Sequence, residues 1–472
     1  MLLKILLINP PVFHAKEVRI KSRLFTTDKY MNVFGEPMGL MYLASYLQAN
    51  GHEVQIVDVS NDKIWNNLPN IICKSGADII GITSMTTGIN EALETAQICR
   101  EELNVPIVFG GAHASGTPET LTKHPAVDIS VIGEGEQTFV ELLFTIEQGN
   151  SLKEVDGICF KQNGSIVRTA PRQLISDLDN IPWPARDLVD MNNYYMDISS
   201  HRGIWPAYTV FASRGCPFNC AFCTSNIWDR KWRKRDPKKV IDEVEAVYEQ
   251  FRRPGIKFGD FVFNIDKNWV EQICNEILSR GLDIKWSAKT SIHGITPELL
   301  DLMNRSGCVL LKYGGESADQ EILSLLKKKQ TSEEVENAIK WTREADISPH
   351  LYFLVGVPQE TEDSKKRTFE FAKRLFHKYD AKIKFSTLYV FPGTEIEEMA
   401  GLKGYDYYTP LPEIESKSRA PLYSVVTGMY SENEINRIRE RYDKYFAIRS
   451  AWRYLRRNPF SLRTLKYVFK NL

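Results

Sequence analysis

At 472 residues the chain exceeds what one ordinary hydrophobic core supports, so two or three domains are expected. Lysine plus arginine equals aspartate plus glutamate at 60 each, which leaves no global attraction to nucleic acid, and 43% hydrophobic with 25% charged residues is a globular composition. No apolar run is long enough to cross a bilayer; the N-terminal MLLKILLINPP meets Pro10-Pro11 rather than a small-residue cleavage site and reads as the buried first strand of an intracellular protein.

From Leu3 to about Gln148, LKILLIN, HEVQIVDV, ADIIGIT, VPIVFG and VDISVIG read as buried parallel strands bounded by turn residues. GLMYLASYLQAN, KIWNNLPNIICKS, GINEALETAQICREEL, PETLTKH and EQTFVELLFTIEQ between them have helical periodicity. The alternation predicts a doubly wound α/β, Rossmann-like (flavodoxin-like) domain over residues 1–150, which binds ligands beyond the carboxyl ends of its strands. At those ends lie Asn9-Pro10-Pro11, Thr83-Ser84-Met85-Thr86-Thr87, Gly110-Gly111-Ala112-His113 and Gly133-Glu134-Gly135-Glu136. Paired glycines admit a large flat ligand and hydroxyls can bond to its polar edge. Gly133-Glu134-Gly135 is no dinucleotide fingerprint, because it follows the last strand and its carboxylates would repel a pyrophosphate.

GLMYLASYLQANGHEV, ITSMT, PIVFGGAH and VIGEGEQTF together resemble the cobalamin-binding domain attached to many radical enzymes. The resemblance implies a cobalamin pocket lined by Asn9, Thr83, Ser84, Gly110, Gly111, Gly133 and Glu134. The Asp-x-His-x-x-Gly that supplies a cobalt ligand in the methionine synthase type is absent from PPVFHAKEVRIKSRLFTT, so cobalt without a protein histidine ligand is expected; His14 and His113 are surface-type loop histidines on this reading. The competing reading is a flavodoxin-like domain with no cofactor.

Residues 151–202 form a connector: GICFKQNGSIVRT is a β-hairpin turning at Asn163-Gly164, and Pro182 and Pro184 then forbid a long helix. Of 8 cysteines, Cys73, Cys99, Cys159, Cys274 and Cys308 lie singly in apolar segments and read as small buried hydrophobes. Cys216, Cys220 and Cys223 cluster in SRGCPFNCAFCTS. A Cys-x-x-x-Cys-x-x-Cys loop supplies three thiolates to a [4Fe–4S] cubane and leaves one iron open to the amino and carboxylate groups of a methionine moiety. Structural zinc would need a fourth ligand, usually from a second Cys-x-x-Cys knuckle, and the chain has none.

The motif, with Phe222 just before its third cysteine, resembles that of the radical SAM superfamily. YTVFASRG, IKFGDFVFN, DIKWSAKT, CVLLKYGGES, SPHLYFLVGVP and KIKFSTLYVFPG read as six strands of a partial (β/α)6 barrel over 203–402, with chemistry at the strands' carboxyl ends. By the same resemblance Phe222, Gly314, Gly315, Glu316 and Gly356 line the S-adenosylmethionine (SAM) pocket, and Pro392-Gly393-Thr394 closes strand six. Asp260-Phe261 and Ser291 stand where relatives often show paired aspartates and an arginine. Outside the resemblance these glycines are turn formers, and Glu360 is a helix-start carboxylate favoured by the dipole.

Residues 403–472 form a C-terminal helical region rich in arginine and aromatic residues. Three readings stay open: a helix lying on an anionic membrane, a helix packed on the barrel, or a contact for an acidic partner. Similar tails occur in the branch containing the anaerobic Mg-protoporphyrin cyclase and hopanoid-modifying enzymes. The resemblance implies cofactors of [4Fe–4S] cluster, SAM and cobalamin, an external donor such as flavodoxin or ferredoxin, and a small, lipophilic substrate. The activity it implies is cobalamin-dependent methylation of an unactivated carbon by way of a 5′-deoxyadenosyl radical. Radical cyclisation, coupling or rearrangement, and a sensor without turnover, are the alternatives.

Overall fold

The computed structural model describes residues 2–11, 35–59, 62–194, 196–252, 254–401 and 432–457. In the N-terminal part β1 (Lys4–Asn9), β2 (Glu53–Asp58), β3 (Ile79–Thr83), β4 (Ile107–Gly110) and β5 (Ile129–Val131) are all parallel, in the order β2-β1-β3-β4-β5. The order reverses beside β1, which makes the crevice past β1 and β3 the place where such sheets take ligands. Helices α1 (Met38–Ala49), α2 (Asp62–Ser75), α3 (Ile89–Glu102), α4 (Ala112–Gly116), α5 (Pro118–Thr122) and α6 (Gly135–Gln148) follow the strands as expected. Alternation within β1 divides the core: Ile5 and Leu7 join Met41, Leu47, Phe139 and Leu142 of α1 and α6, whereas Leu6 and Ile8 join Leu68, Ala92 and Ala96 of α2 and α3.

The connector adds strands to both sheets. Its hairpin, β6 (Ile158–Gln162) and β7 (Ser165–Arg168), extends the N-terminal sheet antiparallel to β5. Further along, β8 (Met196–Ser200) pairs antiparallel with β9 (Gly203–Val210) and edges the second sheet. Two-residue strands β10 (Ser213–Arg214) and β11 (Arg233–Lys234) pair with each other, and α7 (Pro237–Phe251) follows.

From β9 the second sheet proceeds by parallel neighbours through β12 (Gly255–Phe258), β13 (Lys285–Thr290), β14 (Cys308–Glu316), β15 (Ser348–Val355) and β16 (Lys382–Thr387). Helices α8 (Lys267–Ser279), α9 (Pro297–Arg305), α10 (Gln320–Leu325), α11 (Ser332–Glu344), α12 (Glu362–Tyr379) and α13 (Glu395–Met399) complete six strand–helix units of an open barrel. Asp236, Asp266, Thr296, Asp319, Thr331, Thr361 and Thr394 accept backbone N–H bonds at helix starts, which fixes where each helix leaves its loop.

Helix α14 (Glu432–Arg457) settles its own part of the tail. Tyr442 and Phe446 are buried in the barrel's outer core, and Tyr442 stacks on Phe369 at 4.2 Å. The Asp443 carboxylate accepts the N–H of Phe385 on β16 at 2.9 Å, while Arg453 pairs with Asp380 and lies over the Phe376 ring. Tyr442, Tyr445 and Phe446 pack against the barrel, which is the second of the three readings of the tail; residues 458–472 lie outside the described ones. No described helix is long and apolar enough to cross a membrane.

Candidate functional site

The three cysteines sit in a loop that leaves the carboxyl end of β9 and is pinched shut by the β10–β11 ladder. Gly215 opens it with φ +82°, and a Cβ there would collide with the Lys231 carbonyl on the returning strand. Beyond the ladder the loop docks on the barrel rim: Ala221 donates its N–H to Leu326 O and accepts that of Ile396, both at 3.1 Å. Ala221 is buried and Phe222 half-buried against Leu326, Val357, Leu388 and Ile396. Phe222 is thus a packing residue of the rim.

Cys216 is buried, and Cys220 and Cys223 are half-buried. Burial pushes the Cys216 thiol up, and that of Cys220 up to about 11, against the opposing pull of Lys328 on both. Among the described residues no three His, Cys, Asp or Glu side chains converge as a metal-binding group, the cysteines included. The loop brings the three residues together, within electrostatic reach of one another. The donor set still fits an iron–sulfur cluster in kind: thiols alone, from one fixed loop, with Lys328 and Lys289 as the cations acting on them.

Lys328 lies 3.4 Å from Glu316, whose carboxyl is buried and raised by that burial. Glu316 has φ +57°, and the β14–β15 register slips between Gly314 and Glu316, so the Gly-Gly-Glu element is a bulge that turns the carboxylate inward. Side chains at the glycines have no room: a Cβ on Gly315 would lie 2.9 Å from the Phe353 ring, and one on Gly314 would strike the Glu316 carboxylate. Gln330 holds the bulge by donating to both glycine carbonyls, at 3.1 and 3.0 Å. Gly356 donates its N–H to Glu360 at 2.8 Å, and burial raises Glu360 to about 7. Asp260 is fully buried and accepts from Ser213 Oγ at 2.5 Å just before the cysteine loop, while the Ser291 hydroxyl accepts the His293 N–H; both serve local structure.

The strand ends of the N-terminal domain are more occupied than their sequence implied. Ser84 is fully buried, with its hydroxyl donating to Gly110 O at 2.8 Å, so it presents no hydroxyl to a ligand. The Asn9 amide donates to Asp58 at 2.9 Å. Thr83 lies against Gly111, itself at φ +94°. His113 is buried with Nδ1 3.1 Å from Thr86 Oγ1, not a surface histidine, and His14 lies outside the described residues. Gly110 faces open space: a Cβ there would meet nothing within 4 Å, and one on Gly133 only the Ile227 carbonyl at 3.9 Å. This open floor of small residues fits a large flat cofactor.

Glu134 requires the clearest correction. Its buried carboxylate accepts from Arg214 at 3.0 Å, from Arg233 at 2.8 Å and from the Ile175 N–H at 2.8 Å, and Glu136 takes the other arm of Arg214 at 2.7 Å. Arg214 and Arg233 are paired residues of the β10–β11 ladder. The Glu134 and Glu136 carboxylates therefore clamp the N-terminal sheet to the neck of the cysteine loop, beside the open Gly133. The signal was present in sequence as two arginines flanking the cysteine segment, but their distance along the chain hid it.

Residues 31–143 match the B12 binding domain family and residues 210–372 the radical SAM superfamily. Over 402 residues, 84% of this chain and 83% of the relative, it is 35% identical to an uncharacterised methyltransferase of Pyrococcus horikoshii. The chain belongs to the cobalamin-binding radical SAM family. Its cofactors are accordingly a [4Fe–4S] cluster, SAM and cobalamin, and it is an enzyme of that class. It is also 29% identical over 420 residues to the anaerobic magnesium-protoporphyrin IX monomethyl ester cyclase of Rubrivivax gelatinosus, covering 85% of this chain and 74% of that one. Among solved structures, the radical SAM methyltransferase TsrM of Kitasatospora setae aligns at TM-score 0.68 and 20% identity over 84% of this chain and 76% of that one. The cobalamin-dependent radical enzyme OxsB aligns at 0.72 and 18% over 99% and 70%. At such identities the likeness concerns the fold, which is that of a cobalamin-binding radical SAM enzyme.

Proposed function

We propose that the protein methylates an unactivated carbon of a small molecule, with Cys216, Cys220 and Cys223 holding the cluster. The observation that supports this reading is the clamp: Arg214 and Arg233 tie the neck of the cysteine loop to the acidic turn of the cobalamin-binding domain. When bound, the cluster supplies an electron to the sulfonium of SAM, and cobalamin supplies a carrier for a methyl group. The chain's own work is to bind, orient and shield. Glu316 and Lys328 offer a paired acceptor and donor beside the cysteines for the polar end of SAM, and the Gly314–Gly315 bulge and Gly356 loop supply backbone beside them. Gly110, Gly111, Thr83 and Gly133 form the floor assigned to cobalamin. An external donor of the flavodoxin or ferredoxin class provides the electrons.

Ring closure without methyl transfer is the second reading, favoured by the similarity to the cyclase across most of the chain. Anaerobic reconstitution with reductant, cobalamin and SAM separates the two. Both 5′-deoxyadenosine and S-adenosylhomocysteine indicate methylation; 5′-deoxyadenosine alone indicates the second reading. Neither product from a fully loaded protein given a suitable substrate would leave a sensor. Cys220→Ala is expected to abolish the cluster absorbance, and its survival would overturn the ligand assignment.

A further inference from the structure

The concave face of the half-barrel is basic. Ile256 and Phe258, Trp286 and Ala288, and Leu311 and Tyr313 turn outward into the core with the helices, so the alternate residues Lys257, Ser287, Lys289 and Lys312 face the interior. The register aligns them: Lys257 stands opposite Ser287, Lys289 opposite Lys312, and Lys312 opposite His350. Neighbouring strands lie about 4.8 Å apart, and like charges directly opposite destabilise a sheet. Among the described residues no ion pair or hydrogen bond engages the three ammonium groups, and Lys289 lies over the Phe261 ring at 5.4 Å. Among the described residues the carboxylates within electrostatic reach are Glu36, Asp197 and Asp260, and Lys289 also lies within reach of Cys216 and Cys223. Glu36 is held by the Thr209 N–H and hydroxyl at 3.2 and 2.9 Å, and Asp260 by Ser213 and the Ala212 N–H. Burial and the neighbouring lysines bring Lys257 down to about 8, and the Nε2 of His350 is buried without a hydrogen-bond partner among the described residues.

We propose that this face is an oxyanion site, in which Lys257 and Lys312, flanked by Lys289 and His350, anchor the substrate by a phosphate or carboxylate group. Lys257 and Lys312 are half-buried and Lys289 is exposed, and none has a hydrogen-bonded anion among the described residues; like charges gathered in this way repel one another, and a bound anion offsets that cost. The substrate is then an anionic molecule rather than a purely lipophilic one, and it extends from this anchor toward the strands' carboxyl ends. The inference rests on reading the barrel as the radical site.

Isothermal titration calorimetry on the cluster-loaded full chain tests it, with phenyl phosphate and benzoate as separate arms and benzyl alcohol as the neutral control. One or both anions should bind, and the alcohol should not; whichever anion binds more tightly names the anchor group. Lys257→Met and Lys312→Met should each weaken binding about tenfold, and Lys257→Arg, which keeps the charge, by less than about threefold. Lack of anion binding, or Met variants that bind like the wild type, would overturn the proposal. Should a Met variant fail to fold, protection of Lys257 and Lys312 of the wild type from acetylation by the anion decides, and no protection refutes. Displacement of the probe by SAM alone would assign the lysines to the cofactor's carboxylate and equally overturn it. Formation of 5′-deoxyadenosine is followed in the same preparations, so loss of the radical reading is seen separately from loss of the anion site.

Discussion

Replacing Glu134 by Gln keeps the shape of the clamp and removes its charge. Arg233 loses its carboxylate partner and keeps the Ile175 carbonyl, while Arg214 retains Glu136. The Glu134 side chain is 4% exposed and those of Arg214 and Arg233 14% and 11%. Removing one partner of a buried ion pair costs about 3–5 kcal/mol, and the slight exposure of the arginines places this case near about 3. For a domain of about 150–250 residues that lowers the unfolding midpoint by about 6–12 °C. Differential scanning calorimetry of the full chain reads the shift in the transition that involves the N-terminal domain. A cycle with Arg233→Met isolates the pair, and a coupling of about 1.5 kcal/mol or more is expected. Additivity of the two changes within about 0.5 kcal/mol would refute the clamp, because it would mean that the charges do not meet in solution.

Gly215→Ala drives a Cβ into the Lys231 carbonyl at a positive φ, and iron content after anaerobic reconstitution should fall to that of Cys220→Ala; wild-type iron would show that the loop neck yields. Glu360 is raised by burial from 4.5 to about 7, so between those values the folded protein holds a proton that the unfolded chain has released, and stability falls as pH rises through that window. Glu360→Gln keeps an acceptor for Gly356 and should flatten the decline, worth about 3 kcal/mol at most; denaturant midpoints across that range check it, and an unchanged slope counts against it. Phe446→Ala removes a ring that is 2% exposed between α14 and the barrel and should cost about 3–5 kcal/mol by urea unfolding; under about 1 would mean that the helix is not docked.

The regular parts of the fold were legible because their signals are periodic and local. Five buried strands and their helices could be read from LKILLIN to EQTFVELLF, and six more units from YTVFASRG onward. What sequence concealed depends on pairing over distance. The connector hairpin was legible because its Asn-Gly turn is local, whereas its alignment with β5 is not. Glu134 resembled a ligand contact because it follows a strand end, and only the fold brings Arg214 and Arg233 to it. Ser84 misled for the same reason: its hydroxyl is taken by a carbonyl that lies beyond the next helix in sequence. The basic tail left its reading open, since its arginines dominate the composition while Tyr442 and Phe446 pack it on the barrel. The lysine face escaped notice because each residue reads alone as an ordinary polar position in an alternating strand.

An open barrel leaves the backbone of its last strand exposed along one side, and bare strand edges recruit other chains. Here Asp443 of α14 takes the Phe385 N–H on β16 while Tyr442 and Phe446 cover the strand's neighbours. More than forty residues of chain separate β16 from that cover, so during synthesis the strand emerges well before its guard. The interval between the two is the period of greatest risk for misassembly. Chains shortened before α14 would carry that risk permanently, and would be lost to aggregation before their chemistry could be assayed.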